Sequence, residues 1–152
     1  MTVPGAFGPV TDYIPHRPPM LLIDHIVEVT GPGAVCRTTL HPDCVFAIDG
    51  VVHPSAMIEV AAQACAVYVG VCDARDGGPP RHGLIMACRE IEFAVESFAI
   101  GDELTIAVTK VYGQHQQAAF KATVTRGEQV CATLQLSVVD AARASAGPGA
   151  DR

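Results

Sequence analysis

Glu59 and Gln63 are the only strongly polar side chains in the body of an otherwise apolar stretch, Val51 to Asp73 (VVHPSAMIEVAAQACAVYVGVCD). With Ser55 they are spaced i, i+4, i+8, which at about 100° per residue places the three within roughly 80° of one another on one helix face. Ala66 and Gly70 continue that face. A helix apolar on nearly all sides must be wrapped by the rest of the protein, so the Glu59 carboxylate is carried into an interior. Burial there is costly unless the group is used or paired. Desolvation raises the pKa of such a carboxyl and keeps a proton on it, as a general acid requires. Gln63, one turn on, is placed to orient Glu59, to meet a ligand amide, or to satisfy a neighbour.

His53 stands directly before Pro54, at the expected N-cap of this helix. The positive helix end favours a neutral imidazole, which suits a general base. The Ser55 amide and hydroxyl lie at the same end, where free N–H groups can hold a carbonyl oxygen. The alternative role of His53 is to cap the helix. His41 and Cys44 lie in the loop ahead of it, and Cys44 has no partner base identifiable in the sequence. His16, within Pro15-His16-Arg17-Pro18, is read as fixing the entry to the first strand. His25, His82 and His115 join no constellation and are read as surface or turn residues.

These side chains need a core to hold them, and 152 residues suffice for one. No second composition block supports a further domain. The chain is 49% hydrophobic and 17% charged, with 5% aromatic residues and no Trp, so the core is built mainly from Ala, Val, Ile and Leu. A formal charge of -6 without any Lys/Arg run argues against a nucleic-acid surface. No secretory signal is evident at the N-terminus. The apolar helix, at the short limit for a span, carries Glu59 and Gln63, so no membrane role is expected and the protein is read as cytoplasmic. The six cysteines form no CxxC and have no His at zinc-binding spacing. They are read as free thiols, with no metal site and no cofactor.

Along the chain, residues 1–10 read as a flexible arm, 11–140 as a single domain and 141–152 as a disordered tail. Met20 to Val29 and Ala34 to Leu40 read as strands separated by the Thr30-Gly31-Pro32-Gly33 turn. His41 to Val52 reads as a long loop delivering a helix from Ser55 to Cys72, which stops before Asp76-Gly77-Gly78-Pro79-Pro80. Leu84 to Phe93, Glu103 to Val111, Gln117 to Thr125 and Gln129 to Val139 follow as strands joined by short turns, which predicts an antiparallel meander. There is no βαβ alternation and no Gly-rich phosphate loop. The fold class is α+β, an antiparallel β-sheet wrapped around one long central α-helix.

Three stretches carry a family resemblance: Tyr13-Ile14-Pro15-His16-Arg17-Pro18-Pro19-Met20-Leu21-Leu22-Ile23-Asp24, Met57-Ile58-Glu59-Val60-Ala61-Ala62-Gln63-Ala64, and Ser97-Phe98-Ala99-Ile100-Gly101-Asp102-Glu103-Leu104. In order and type they resemble the hotdog-fold β-hydroxyacyl-(acyl carrier protein) dehydratases, in particular a subgroup associated with aryl-polyene pathways. The resemblance implies that Glu59 protonates a departing β-hydroxyl and that a histidine removes the α-proton. It also implies an acyl carrier protein or coenzyme A thioester as substrate, and a homodimer or a heterodimer with a related hotdog chain. The family's catalytic histidine falls near Val45, and the glycine whose amide binds the thioester carbonyl falls at Pro54, which has no N–H. His53 is therefore the expected substitute base, with Ser55 and Gln63 as expected substrate-binding residues. Docking of an acidic carrier would draw on Arg75, Arg81 and Arg89. Two other readings remain open: a non-catalytic hotdog subunit that pairs with an active dehydratase, and a hotdog acyl-thioesterase in which the helix carboxylate activates water.

Overall fold

The computed structural model describes residues 7–79, 81–114 and 117–141. All but the first residue of the expected tail, and all but the last four residues of the expected arm, fall outside these, as does His115. In chain order the strands are β1 (His25–Thr30), β2 (Gly33–Thr39), β3 (Ala47–Ile48), β4 (Val51–Val52), β5 (Gly83–Phe93), β6 (Phe98–Ala99), β7 (Glu103–Gln114), β8 (Gln117–Arg126) and β9 (Gln129–Asp140). Among the described residues the one long helix, α1, spans Ala56–Arg75, between β4 and β5. Six strands form one antiparallel sheet in the order β1-β2-β7-β8-β9-β5, and β3, β4 and β6 form a small second sheet.

The alternation read from the sequence is what binds sheet to helix. Leu104, Ile106 and Val108 on β7, Phe120, Ala122 and Val124 on β8, and Leu134 and Leu136 on β9 are all buried. They form one core with Met57, Val60, Ala61, Ala64, Val67 and Val71 of α1. Each large aliphatic side chain so buried is worth about 1.5–3 kcal/mol.

Four expectations are corrected. The strand after the helix does not begin a meander. β5 pairs with β9 at the far edge (Ile85↔Val138, Phe93↔Ala132), while β7 pairs with β2 (Cys36↔Ile106). The connection from β5 to β7 is no hairpin turn, because on the way it gives β6 to the small sheet. The expected loop from His41 to Val52 contains a hairpin, β3 to β4, which reverses at Asp49-Gly50. Both of those residues have positive φ, 53° and 77°, the conformation a tight two-residue hairpin turn demands. The first strand starts at His25 rather than Met20, since the backbone at Met20 and Leu22 is bonded to the Gln63 side chain. Finally, α1 is not wrapped on all sides within one chain: Ile58, Glu59, Ala62, Ala66 and Val69 stay partly exposed on the side away from the buried face.

Candidate active site

The segment that precedes β1 crosses α1 and brings His16 to Glu59. Ile14 is completely buried and anchors it. Arg17 clamps it by donating to the Ile14 and His16 carbonyls at 2.8 Å each and to the Thr11 carbonyl at 3.2 Å. At Gly70 the backbones touch, and an added Cβ would overlap the Tyr13 carbonyl oxygen. The outcome is His16 Nε2 at 3.9 Å from Glu59 Oε1, with both side chains a little over a quarter exposed. The other ring nitrogen, Nδ1, is buried and makes no hydrogen bond among the described residues. Nε2 is thus the nitrogen available to react. Burial pushes the His16 pKa below its ordinary value; Glu59 acts in the opposite direction, and the charges of His82 and Arg17 add to the lowering.

Gln63 is fully buried. Its Oε1 accepts from the Leu22 N–H at 2.8 Å, and its Nε2 donates to the Met20 carbonyl at 2.7 Å and to Glu59 Oε1 at 3.0 Å. Both amide hydrogens are spent, so Gln63 orients Glu59 and has no donor left for a ligand. With Oε1 held, Oε2 is the oxygen of Glu59 left to act.

His53, Pro54 and Ser55 form a closed turn at the helix start. His53 Nδ1 accepts from the Ser55 amide at 3.1 Å and lies 2.8 Å from the Ser55 hydroxyl. The N-cap is thus Ser55 rather than the expected His53, and both Ser55 donors point at the His53 ring rather than at a ligand. Neither residue lines the cavity that contains Glu59. The structure brings Glu59 together with Gln63 and His16, and leaves His53 and Ser55 with each other. His16 was missed because its contact with Glu59 joins residues 43 apart in sequence, across the crossing at Gly70.

That cavity encloses about 580 Å³ between α1 and the β5 side of the sheet. His16, Glu59 and His82 line it together with Ala62, Cys65 and Ala66 of the helix and with Gly83, Leu84 and Ile85 of β5. The small helix residues leave the space open, and the wall made by β5 is the free edge of the sheet. Of the three expected docking arginines, Arg81 is held by Asp73 at 2.7 Å and by Asp140 at 3.2 Å. Arg75 reaches the Val29 carbonyl. His41 pairs with Asp24 at 3.0 Å, beside a separate and smaller cavity that Cys44 also lines. Burial raises the thiol pKa of Cys65 and of Cys36, the latter to about 12, which keeps both protonated and inert. Among the described residues no group of His, Cys, Asp and Glu is arranged to hold a metal.

Comparison with known proteins agrees with this architecture. A family model described as ApeP-like, ApeP dehydratase, matches residues 8–146. No curated protein matches the sequence. Among solved structures, the dehydratase heterocomplex ApeI:P from Xenorhabdus doucetiae superposes with a TM-score of 0.84 at 24% identity, covering 88% of this chain and 91% of that one. A hypothetical thioesterase with coenzyme A from Streptococcus pneumoniae TIGR4 gives 0.58 at 13% identity, covering 77% and 87%. The uncharacterized protein PH1136 from Pyrococcus horikoshii gives 0.62 at 14% identity, covering 88% and 94%. The fold is the hotdog fold.

Proposed function

The chain belongs to the ApeP-like dehydratase family, and from that premise we propose that it removes water from a 3-hydroxyacyl thioester, with Glu59 as the acid and His16 as the base. The observation that carries this reading is the 3.9 Å approach of His16 Nε2 to Glu59 Oε1 on the wall of a cavity large enough for an acyl thioester. His16 takes the place of the loop histidine absent at Val45. Its lowered pKa supports the neutral form a base needs near neutral pH.

In this reading the thioester enters with its Cα toward His16 Nε2 and its β-hydroxyl toward Glu59 Oε2. His16 takes the α-proton. Glu59 gives its proton to the hydroxyl, the Cβ–O bond breaks, and water and the α,β-enoyl thioester leave. The proton on His16 then passes to Glu59 across the short gap, and both groups return to their starting state. No oxidant or metal enters the balance. Gln63 acts as a positioning residue by holding Glu59 Oε1.

The partner follows from β5. This edge strand exposes Leu84, Ile85, Met86, Ile91 and Phe93, and its first three residues wall the cavity. A long apolar edge with unpaired backbone groups is a template for another strand. We assign it to a second hotdog chain, which would extend the sheet and close the cavity. The similarity to a heterocomplex supports a related chain as the partner. The same open edge favours a second reading, in which this chain is a non-catalytic subunit that completes the site of an active relative.

The test is hydration of a trans-2-enoyl pantetheine thioester by the purified protein, alone and mixed with a related hotdog chain. The dehydratase reading predicts hydration that Glu59→Gln abolishes. Turnover unchanged by that substitution would favour the non-catalytic reading, and release of free thiol without hydration would mark a thioesterase.

A further inference from the structure

Removing an α-proton places negative charge on the thioester oxygen, and that charge needs a preorganised hydrogen-bond donor. The helix start cannot supply it. The Ser55 N–H is bonded to His53 Nδ1, and the N–H groups of Ala56, Met57 and Ile58 are bonded to the carbonyls of His53, Pro54 and Ser55 at 3.0–3.1 Å. A donor from this chain must therefore lie elsewhere on the cavity wall.

Most polar groups on that wall are committed or distant. Arg81 is bonded to Asp73 and Asp140. The Tyr68 hydroxyl donates to the Gly31 carbonyl at 3.3 Å. Lys110 is on β7, separated from β5 by β8 and β9. Gln117 is on β8, separated from β5 by β9. His82 stands on the same wall as Glu59 and His16, near enough to His16 to act on it electrostatically.

We propose that His82 is a substrate-binding residue whose imidazole N–H donates a hydrogen bond to the thioester carbonyl and holds the enolate oxygen while His16 takes the α-proton. The inference rests on the dehydratase reading above. It requires His82 to stand at the cavity wall, and its neighbours hold its main chain there while the side chain stays exposed. The Ala141 N–H donates to the His82 carbonyl at 2.8 Å, and the bonds of Arg81 to Asp73 and Asp140 tie the preceding residue to the end of α1 and to β9. The electron pair of the Cα–H bond moves to the carbonyl oxygen, then returns to form the Cα–Cβ double bond as the hydroxyl leaves with the proton from Glu59. A neutral imidazole suffices for this role. His82 also lies near enough to His16 for its charge to disfavour a second proton there.

The test reads the carbonyl directly. A 3-hydroxyacyl pantetheine thioester with a ¹³C-labelled carbonyl is bound to the Glu59→Gln protein, paired with a related hotdog chain where binding needs one, and its C=O stretch is recorded by difference infrared spectroscopy. The expected result is a shift to lower wavenumber that is lost when His82→Ala is added and largely kept with His82→Gln, which retains an N–H donor. In the otherwise native protein, His82→Ala is expected to lower kcat for enoyl hydration about 10²–10³-fold, with KM changed only a few-fold. An unchanged stretch and unchanged kcat in His82→Ala overturn the proposal, and so does failure of the thioester to bind. If Glu59→Gln and His16→Gln abolish hydration while His82→Ala does not, the role of His82 fails alone. If the stretch depends on His82 but nothing hydrates, the carbonyl contact stands and the dehydratase reading fails.

Discussion

Gly70 and the Tyr13 carbonyl are in direct backbone contact, and this contact sets where His16 lies. A methyl group at residue 70 would overlap the Tyr13 oxygen, so only glycine lets the segment of Tyr13 to Pro19 lie flat on α1. Gly70→Ala is therefore expected to lift that segment. The cost in stability is about 1–3 kcal/mol, typical of overpacking, read as a lowered urea midpoint. Enoyl hydration should fall as well, because His16 loses its place opposite Glu59. A stable Gly70→Ala protein with full activity would show that the crossing does not position the base.

Gln63 joins three backbone and side-chain groups in a fully buried position. Gln63→Leu keeps the volume but leaves the Leu22 N–H and the Met20 carbonyl without their partner. Each such group costs about 1–3 kcal/mol. The expected outcome is strong destabilisation in a denaturant titration, accompanied by a loss of kcat, since Glu59 Oε1 is no longer held. Retained stability would mean that solvent or the main chain takes over both bonds.

The His16 pKa is lowered from 6.5, chiefly by burial. The unfolded chain therefore binds a proton at higher pH than the folded protein does. As pH falls through 6.5 the unfolded state gains protons first and stability is lost, until the folded value is also passed. His16→Gln should remove this part of the stability–pH curve. Since the base must be neutral, the acid limb of the kcat/KM profile for dehydration should lie below 6.5. An acid limb above that value would contradict the environment described for His16.

The exposed apolar edge of β5 predicts association. Ile85→Lys places a charge on that edge beside the cavity, and it should weaken pairing with a second hotdog chain, seen as a smaller species in analytical ultracentrifugation. A native-sized assembly in this variant would place the interface on another face.

Much of the fold was legible because its signals are local. The apolar run with Glu59 and Gln63 became α1, and the alternation around Leu104, Phe120 and Leu134 became three adjacent strands. The Asp49-Gly50 hairpin carried its signal too, but strands of two residues are too short for alternation to show. The pairing of β5 with β9 is not local: nothing in Leu84 to Phe93 says which edge it joins. Around the candidate site, the shared helix face of Glu59 and Gln63 was legible from spacing, whereas the place of His16 was not, because its approach to Glu59 joins residues 43 apart in sequence, across a chain crossing. Gly70, continuing the polar face of an apolar helix, was the one sequence trace of that crossing. His53 was expected at the N-cap, but that position falls to Ser55, two residues later, and the His53 ring is bonded to Ser55 instead.

The central claim is that His16, and not His53, is the base that works with Glu59. The direct test compares His16→Gln with His53→Gln in hydration of a trans-2-enoyl thioester, with a related hotdog chain present where the native protein needs one. The account predicts that His16→Gln lowers kcat about 10²–10⁴-fold, while His53→Gln keeps the native rate and loses only its bonds to Ser55, about 1 kcal/mol of stability. Native turnover in His16→Gln, with loss of activity in His53→Gln, would contradict it.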